Sequence, residues 1–427
     1  MSPMLLLFGT FFIMLLIGSP IVVALGVSAL SVYLYNGEDF SSLIVLAYNS
    51  VNSFPIMALP GFILAGALMG NAGISRRLIT IAESAAGRAH GGLGAAAIIS
   101  CLFFGSVSGS GPATTAAISM LLIPAMVQRG YPAPYAGGVT ASAGGLGIII
   151  PPSIPMVIYG VTANESISKL FLAGVIPGFI LAFSLLLMNY FRSRRAGYGA
   201  GQELADVPKL STALWDAKWS LMAPIVILGG IYSGLFTPTE AAIVAVFYSL
   251  FVGLFIHRES TWAGVSKALE NTTWLTGRVL IIMFAATAFG RVLVENQIPN
   301  MIASNVLELT DSLLLIWLIV ILFLLILGMF METLAMILIV TPIVLPIMVA
   351  FGVDPIHFGV ILVACSLIGF STPPLGENMF IASSIAKVPL EQISLQALPC
   401  VIVMLITVFI LALVPELSLL LPRLAGF

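Results

Sequence analysis

Residues 105–117 read Gly-Ser-Val-Ser-Gly-Ser-Gly-Pro-Ala-Thr-Thr-Ala-Ala, and residues 144–155 read Gly-Gly-Leu-Gly-Ile-Ile-Ile-Pro-Pro-Ser-Ile-Pro. Both stretches sit inside long apolar surroundings. Glycine loosens the backbone, and proline removes a donor and clashes with the preceding turn. Neither stretch can continue as a regular helix. The second half of the chain repeats the pattern. Residues 328–333 read Gly-Met-Phe-Met-Glu-Thr and residues 369–378 read Gly-Phe-Ser-Thr-Pro-Pro-Leu-Gly-Glu-Asn. These four interruptions carry the architecture.

The solvent around them follows from composition. The 427 residues are 60% hydrophobic and only 8% charged, with a mean hydropathy of +1.14. A soluble domain carries roughly 25% charged residues, so this chain is built for lipid. A soluble enzyme, a disordered scaffold and a nucleic-acid binder are excluded, the last also because 16 basic and 18 acidic residues nearly cancel. Cys101, Cys365 and Cys400 show no metal or disulfide spacing. About a dozen apolar segments are long enough to matter against the ~20 residues a spanning helix needs. The first, Met1 to Gly37, carries no charge and no basic leader, so it reads as a true span. Residues 192–218 form the clearest aqueous stretch. They include Arg192, Arg194, Arg195, Gly199, Gly201, Glu203, Asp206 and Lys209, and the positive-inside rule makes them a cytoplasmic loop between two halves.

The halves repeat. A shift of about 222 residues places Pro124, Met126, Val127 and Gly130 on Pro346, Met348, Val349 and Gly352. It also places Gly137 on Gly359, Gly147 on Gly369, Pro151–Pro152 on Pro373–Pro374 and Pro177 on Pro399. Broken backbone is tolerated in a membrane only where protein or a wet cavity covers it. Paired breaks in corresponding places of two halves point to a transporter binding site.

A broken helix frees carbonyls on one side and N–H groups on the other. Carbonyls with hydroxyls suit a hard monovalent cation, and N–H ends suit an anion. Residues 91–128 read as a re-entrant hairpin whose tip presents Ser106, Ser108, Ser110, Thr114 and Thr115. Gly66 and Gly70 read as a small-residue helix-packing pair. Glu332 aligns with Ser110, and a carboxylate at membrane depth is a functional candidate. Glu377 and Asn378 resemble it but are expected nearer an interface. Arg291, with Glu295 four residues on, is either a plain ion pair or a contact for an anionic substrate. His90, His257 and His357 carry no signal. No G-x-S-x-G surrounds the tip serines, and no nucleotide fingerprint is present, so enzyme chemistry is not expected. A channel with pore loops is the alternative; two unequal, repeated pairs of breaks favour alternating access over it.

The tip at 105–117, with Pro124 and Gly130, resembles the large membrane subunit of tripartite ATP-independent periplasmic (TRAP) transporters. Pro151-Pro152-Ser153 and Ser371-Thr372-Pro373-Pro374-Leu375-Gly376-Glu377-Asn378 resemble that family's two broken-helix signatures, and the likeness runs from about Leu5 to Leu421. It implies an all-α polytopic membrane protein with two inverted repeats, re-entrant hairpins and broken helices, moving as an elevator. It implies sodium-coupled import of an organic acid (a C4-dicarboxylate, sialic acid or similar carboxylate) across the bacterial inner membrane. The partners implied are a periplasmic substrate-binding protein and a small membrane subunit, the latter expected as a separate chain because this one starts with a span.

By position, the resemblance puts scaffold helices at 1–90, 166–311 and 391–427, and the transport unit at 91–165 and 312–390. Hairpins fall near 91–128 and 312–349, and broken helices near 135–160 and 357–384. At least two sodium ions are implied. One site would use Ser106, Ser110, Gly145 and Gly147; the other would use Gly328, Glu332, Thr333, Gly369 and Thr372. Substrate would lie near Ser108, Pro152, Ser153 and Thr372, with Arg291. The second tip lacks the serines of the first, so the two cation sites should differ chemically.

Overall fold

The computed structural model describes residues 3–39, 41–86, 90–198, 208–310, 312–373 and 376–426, which form helices and no strands. The first half runs α1 (Pro3–Leu16), α2 (Ile21–Asn36), α3 (Ser41–Val51), a 3-10 turn (Phe54–Met57), α4 (Ala58–Asn71), α5 (Ile74–Ala86), α6 (Gly92–Ser108), α7 (Gly111–Gln128), α8 (Ala133–Gly144), a 3-10 turn (Gly145–Ile148), α9 (Ile154–Ala163) and α10 (Ile167–Ala196). The second half runs α11 (Leu210–Asp216), α12 (Lys218–Tyr232), α13 (Pro238–Phe251) with a π-turn (Val252–Ile256), α14 (Trp262–Glu295), α15 (Ile298–Leu309), α16 (Leu313–Phe330), α17 (Thr333–Ala350), α18 (Pro355–Gly369), α19 (Glu377–Ala386), α20 (Leu390–Leu413) and α21 (Glu416–Leu424). Among the described residues eight helices are long and apolar enough to cross a membrane, or nine if α11 and α12, bent by 60°, count as one span.

The helices restart where the sequence supplies a cap and a proline. Ser110, Ser153, Thr237 and Asp354 each accept a backbone N–H at a helix start, and Pro112, Pro155, Pro238 and Pro355 stand in the first two positions behind them. Proline is at home there because its missing N–H would lack a helical partner anyway. The same chemistry that breaks a helix at 109–112 therefore begins the next one.

Helix boundaries recur at the offset seen in the Gly and Pro register. The arms α6 and α7 fall on α16 and α17, α8 falls on α18, and α9 falls on α19. Helix pairs α6–α7 and α16–α17, and the interrupted pairs α8–α9 and α18–α19, occupy the stretches read from the sequence as hairpins and broken helices. One unit differs between halves: α3, the turn at Phe54–Met57 and α4 correspond to α14, which runs 34 residues without interruption.

Two expectations are corrected. Met1–Gly37 is not one span but two helices of 14 and 16 residues, each only about 21–24 Å long. The chain turns between them through Gly18, at φ +79°, and Pro20 closes the turn. The stretch 192–218 is not all loop either. Helix α10 carries Arg192, Arg194 and Arg195 on to Ala196, where Gly197 ends it in the left-handed conformation, and α11 resumes at Leu210. Gly199, Gly201, Glu203 and Asp206 lie outside the described residues, as do Pro374 and Leu375.

The two hairpins are rooted at opposite ends of α10. At the arginine-bearing end, buried Asn189 donates from Nδ2 to the Gly91 carbonyl (3.0 Å) and accepts from Tyr135 Oη (2.8 Å). At the other end, α9 closes against the start of α18, with Tyr159 Oη donating to the Pro355 carbonyl (2.6 Å). That start follows directly on the outer end of α17. His357 there is buried, facing Ser418 Oγ (3.1 Å), the Ala412 carbonyl (3.2 Å) and the edge of Trp317. It is a satisfied core group.

Candidate ion and substrate site at the hairpin tips

Each hairpin tip meets a broken helix through a pair of glycines. A Cβ on Gly105 would stand 2.4 Å from Gly147 Cα, and one on Gly369 would stand 2.7 Å from the Gly328 carbonyl. No side chain fits between these backbones, so first tip and first break touch directly, and second tip and second break do the same. Gly66 of α4 packs against the first tip, where an added Cβ would reach 3.1 Å from Ser108 Cα. The packing reading of Gly66 stands; Gly70 touches nothing comparable.

The first tip is a small hydroxyl network. Ser108 Oγ lies 2.8 Å from Thr114 Oγ1 and donates to the Ser110 carbonyl at 3.3 Å, and Thr114 Oγ1 donates to the same carbonyl at 2.7 Å. Ser110 caps α7. Gly109 turns the chain at φ +61° and presses against the Pro152 carbonyl, which an added Cβ would meet at 2.9 Å. Ser153 caps α9 and donates back to the Ile148 carbonyl, bridging the break on its own strand of chain. The Ser110 carbonyl and the Thr114 hydroxyl, with Ser108 beside them, converge on Gly147, where an added Cβ would meet them at 3.1 and 2.5 Å; Gly145, expected at the same site, instead faces Leu367 of α18, which an added Cβ would meet at 2.8 Å.

The second tip is built differently. Glu332 occupies the cap position of α17, matching Ser110, but makes no capping bond. Its carboxylate instead pairs with Arg278 Nη2 of α14 at 2.7 Å. Thr333 Oγ1 is buried without a partner, and so is Asn378 Oδ1, while Asn378 Nδ2 and Ser371 Oγ both donate to the Ala141 carbonyl (3.1 and 3.2 Å). A buried acceptor left open is costly; Thr333 heads α17 at the second tip, whereas Asn378 lies beside Gly111 of the first tip and Ala141 of α8.

The tips share a cavity of about 70 Å³, lined by Gly109 to Pro112, Ile148, Ile154, Pro155, Glu332 to Leu334, Phe370 and Glu377, with Ile63 and Leu275. Both hairpins and both breaks therefore meet at one point, with room for a few water-sized atoms. Not every expected residue faces it. The hydroxyls of Ser106 and Thr372 turn back to the carbonyls of Phe103 and Ile368, each at 2.7 Å. Arg291 is elsewhere. It pairs with Glu295, which Tyr33 also contacts (3.0 Å), and it lines a separate cleft of about 810 Å³ between α14, α17 and the α9–α10 connection. Asn378 is fully buried rather than near an interface. Arg278 carried no sequence signal, because its partner lies more than fifty residues away with no helical spacing to betray it.

Residues 8–417 match the family described as tripartite ATP-independent periplasmic transporter, DctM component. The chain belongs to that family. Among relatives of this DctM-family permease, the C4-dicarboxylate TRAP transporter large permease protein of Pseudomonas aeruginosa is 41% identical, over 94% of each chain. The isethionate TRAP transporter permease protein of Oleidesulfovibrio alaskensis is 43% identical over 97% of this chain, which spans 65% of that longer protein. The sialic acid TRAP transporter large permease protein of Vibrio cholerae is 38% identical over 88% of this chain and 87% of its own length. The fold also resembles the YdaH transporter of Alcanivorax borkumensis, with a TM-score of 0.66 at 15% identity, covering 96% and 98% of the two chains. The DctM-family relatives are permeases, so the chain is a membrane transport protein and not an enzyme.

Proposed function

We propose that this permease imports an organic acid by sodium-coupled alternating access in the inner membrane of a bacterium. The supporting observation is the meeting of both hairpin tips and both helix breaks at one cavity. On this reading the halves are inverted repeats, which the rooting of the hairpins at opposite ends of α10 supports. Hairpins 91–128 and 312–349 move with their broken helices as one body, and the remaining helices form the scaffold.

One sodium site lies at the Gly105–Gly147 crossing, served by Ser106, Ser110, Gly145 and Gly147 and extended by Ser108 and Thr114. The other lies at the Gly328–Gly369 crossing, served by Gly328, Thr333, Glu332, Gly369 and Thr372. Oxygen ligands of this kind, mostly backbone carbonyls, suit a hard cation. The organic anion lies between the tips, near Ser108, Pro152, Ser153 and Thr372, against the N-terminal ends of α7, α9, α17 and α19. The relatives are named for isethionate, C4-dicarboxylates and sialic acid, all acids, and the substrate here belongs to that class. A periplasmic binding protein delivers it, and a small membrane subunit completes the complex.

The test is uptake into proteoliposomes holding this chain with its small subunit, supplied with the binding protein. Accumulation of an organic acid under an inward sodium gradient, lost when potassium replaces sodium, is the expected result. Uptake indifferent to sodium would overturn the coupling, and gradient-limited flux with single-channel currents would make the protein a channel.

A further inference from the structure

Among the described residues, the ion pair between Arg278 and Glu332 is the only one that reaches a hairpin tip. Glu332 gives up the helix cap that its counterpart Ser110 makes and spends its carboxylate on Arg278. The same Glu332 forms a wall common to two cavities. It lines the small cavity between the tips, and with Arg278 it lines a groove of about 1040 Å³ bounded by the α1–α2 connection and α14. Glu377, which also lines the tip cavity, lies within electrostatic reach of both. Arg278 is half exposed to the groove, so its guanidinium is open to a second partner on the face that Glu332 does not cover.

An arginine among apolar groups is costly without a counter-charge. Glu332 supplies one, but through a single charged contact at a half-open place, where ion pairs are weak. A carboxylate or sulfonate arriving from outside offers the same planar or trigonal oxygens and matches the guanidinium fork at least as well. Exchange of one anion for another on Arg278 costs little net charge separation. It also sets Glu332 free beside Glu377, so that two carboxylates then face the second tip. That gathering of negative charge favours a cation at the Gly328–Gly369 crossing.

We infer that Arg278 is the residue that reads the negative charge of the substrate, with Glu332 holding its place as an internal anion until substrate displaces it. The inference rests on the organic-acid import proposed above and adds to it a specificity-determining residue and a coupling. Anion binding at Arg278 strengthens sodium binding at the second tip, and linkage makes the effect reciprocal.

The experiment compares wild type, Arg278→Gln, Arg278→Lys, Glu332→Gln and the swap Arg278→Glu with Glu332→Arg, each in the complete reconstituted complex. The probes are succinate, isethionate and N-acetylneuraminate, and KM, kcat and sodium dependence are measured for whichever the wild type takes up. Arg278→Gln should raise KM tenfold or more, about 1.4 kcal/mol in binding, and Arg278→Lys should recover part of it. At saturating sodium Glu332→Gln should lower KM several-fold, because it removes the competing anion, while the sodium concentration for half-maximal uptake rises, because it also removes a ligand of the second site. The swap should fail to restore wild-type KM. Restored KM and rate in the swap would make the pair a structural latch and overturn the inference. So would Glu332→Gln raising KM as Arg278→Gln does, or both variants leaving KM unchanged. A wild type that takes up none of the anions refutes the proposed function itself, and this inference with it.

Discussion

Adding a single methyl group at Gly105 tests whether the glycine crossings hold the site together. The Cβ of Gly105→Ala would lie 2.4 Å from Gly147 Cα and 3.0 Å from Gly147 N, and both atoms are backbone. Carbon atoms rest at about 3.5–4.0 Å, so hairpin and broken helix must separate by about 1 Å. Overpacking of this kind typically costs about 1–3 kcal/mol. A gap of that size also forfeits a quarter to a half of each neighbouring dispersion contact. The control is Gly26→Ala in α2, where an added Cβ meets nothing within 4 Å. In a helix interior that change is favourable by roughly 0.5–1 kcal/mol. The two alanines act in opposite directions and should therefore differ by about 1.5–4 kcal/mol. The assay is the thermal unfolding midpoint of nanodisc-embedded protein, scanned at one fixed rate with and without 100 mM sodium (about, in place of potassium). Gly105→Ala should melt lowest and should lose most of any sodium-induced rise in midpoint, since the tip carbonyls no longer converge. Gly26→Ala should melt at or above wild type with its sodium response intact. If Gly105→Ala melts with Gly26→Ala and responds equally to sodium, the crossing is not what shapes the site.

Three further outcomes are expected. Ser108→Ala removes the hydroxyl between Thr114 Oγ1 and the Ser110 carbonyl, costs about 1 kcal/mol, and should raise the sodium concentration for half-maximal uptake while the folded yield stays unchanged. Asn189→Ala strips partners from the Gly91 carbonyl and from Tyr135 Oη, which keeps only Ser193 at 3.2 Å; a loss of about 1–3 kcal/mol should appear as a lower unfolding midpoint. Arg291→Gln breaks a half-exposed pair worth about 0–1 kcal/mol, so its effect on KM should be much smaller than that of Arg278→Gln and should vanish as salt screens the cleft.

The hairpins and breaks were legible because their residues are chosen for backbone reasons. A run such as Ser108-Gly109-Ser110-Gly111-Pro112 does one thing in a membrane, and its offset copy does the same. The span at the N-terminus was misjudged because hydropathy counts residues and is blind to one Gly18 turn. The site was legible where it is made of backbone and short hydroxyls close in sequence. It was not legible where partners come from distant helices. Arg278 stands midway along α14 with no partner at helical spacing, and only the fold brings Glu332 to it. Arg291 had a visible partner at helical spacing, and the visible pair is the one the structure contains. Asn378 stands out in the sequence only through its neighbours, and the Ala141 carbonyl it meets is far away in the chain.

Helix α14 runs 34 residues where the first half spends α3, a turn and α4 on the same length of chain. Unbroken, it is about 51 Å long, against roughly 30 Å of hydrocarbon. Lys267 and Glu295 mark polar positions near its two ends, about 42 Å apart along the axis. Arg278 and Arg291 bracket its longest uncharged run, residues 279–290, only about 18 Å long, so an upright α14 sets at least one of these charges inside the hydrocarbon, where protein or water must meet it. Its first-half counterpart, with a hinge at Phe54–Met57, can bend to fit. The protein thus sets a stiff strut beside a jointed one, and the strut carries both Arg278 and Arg291.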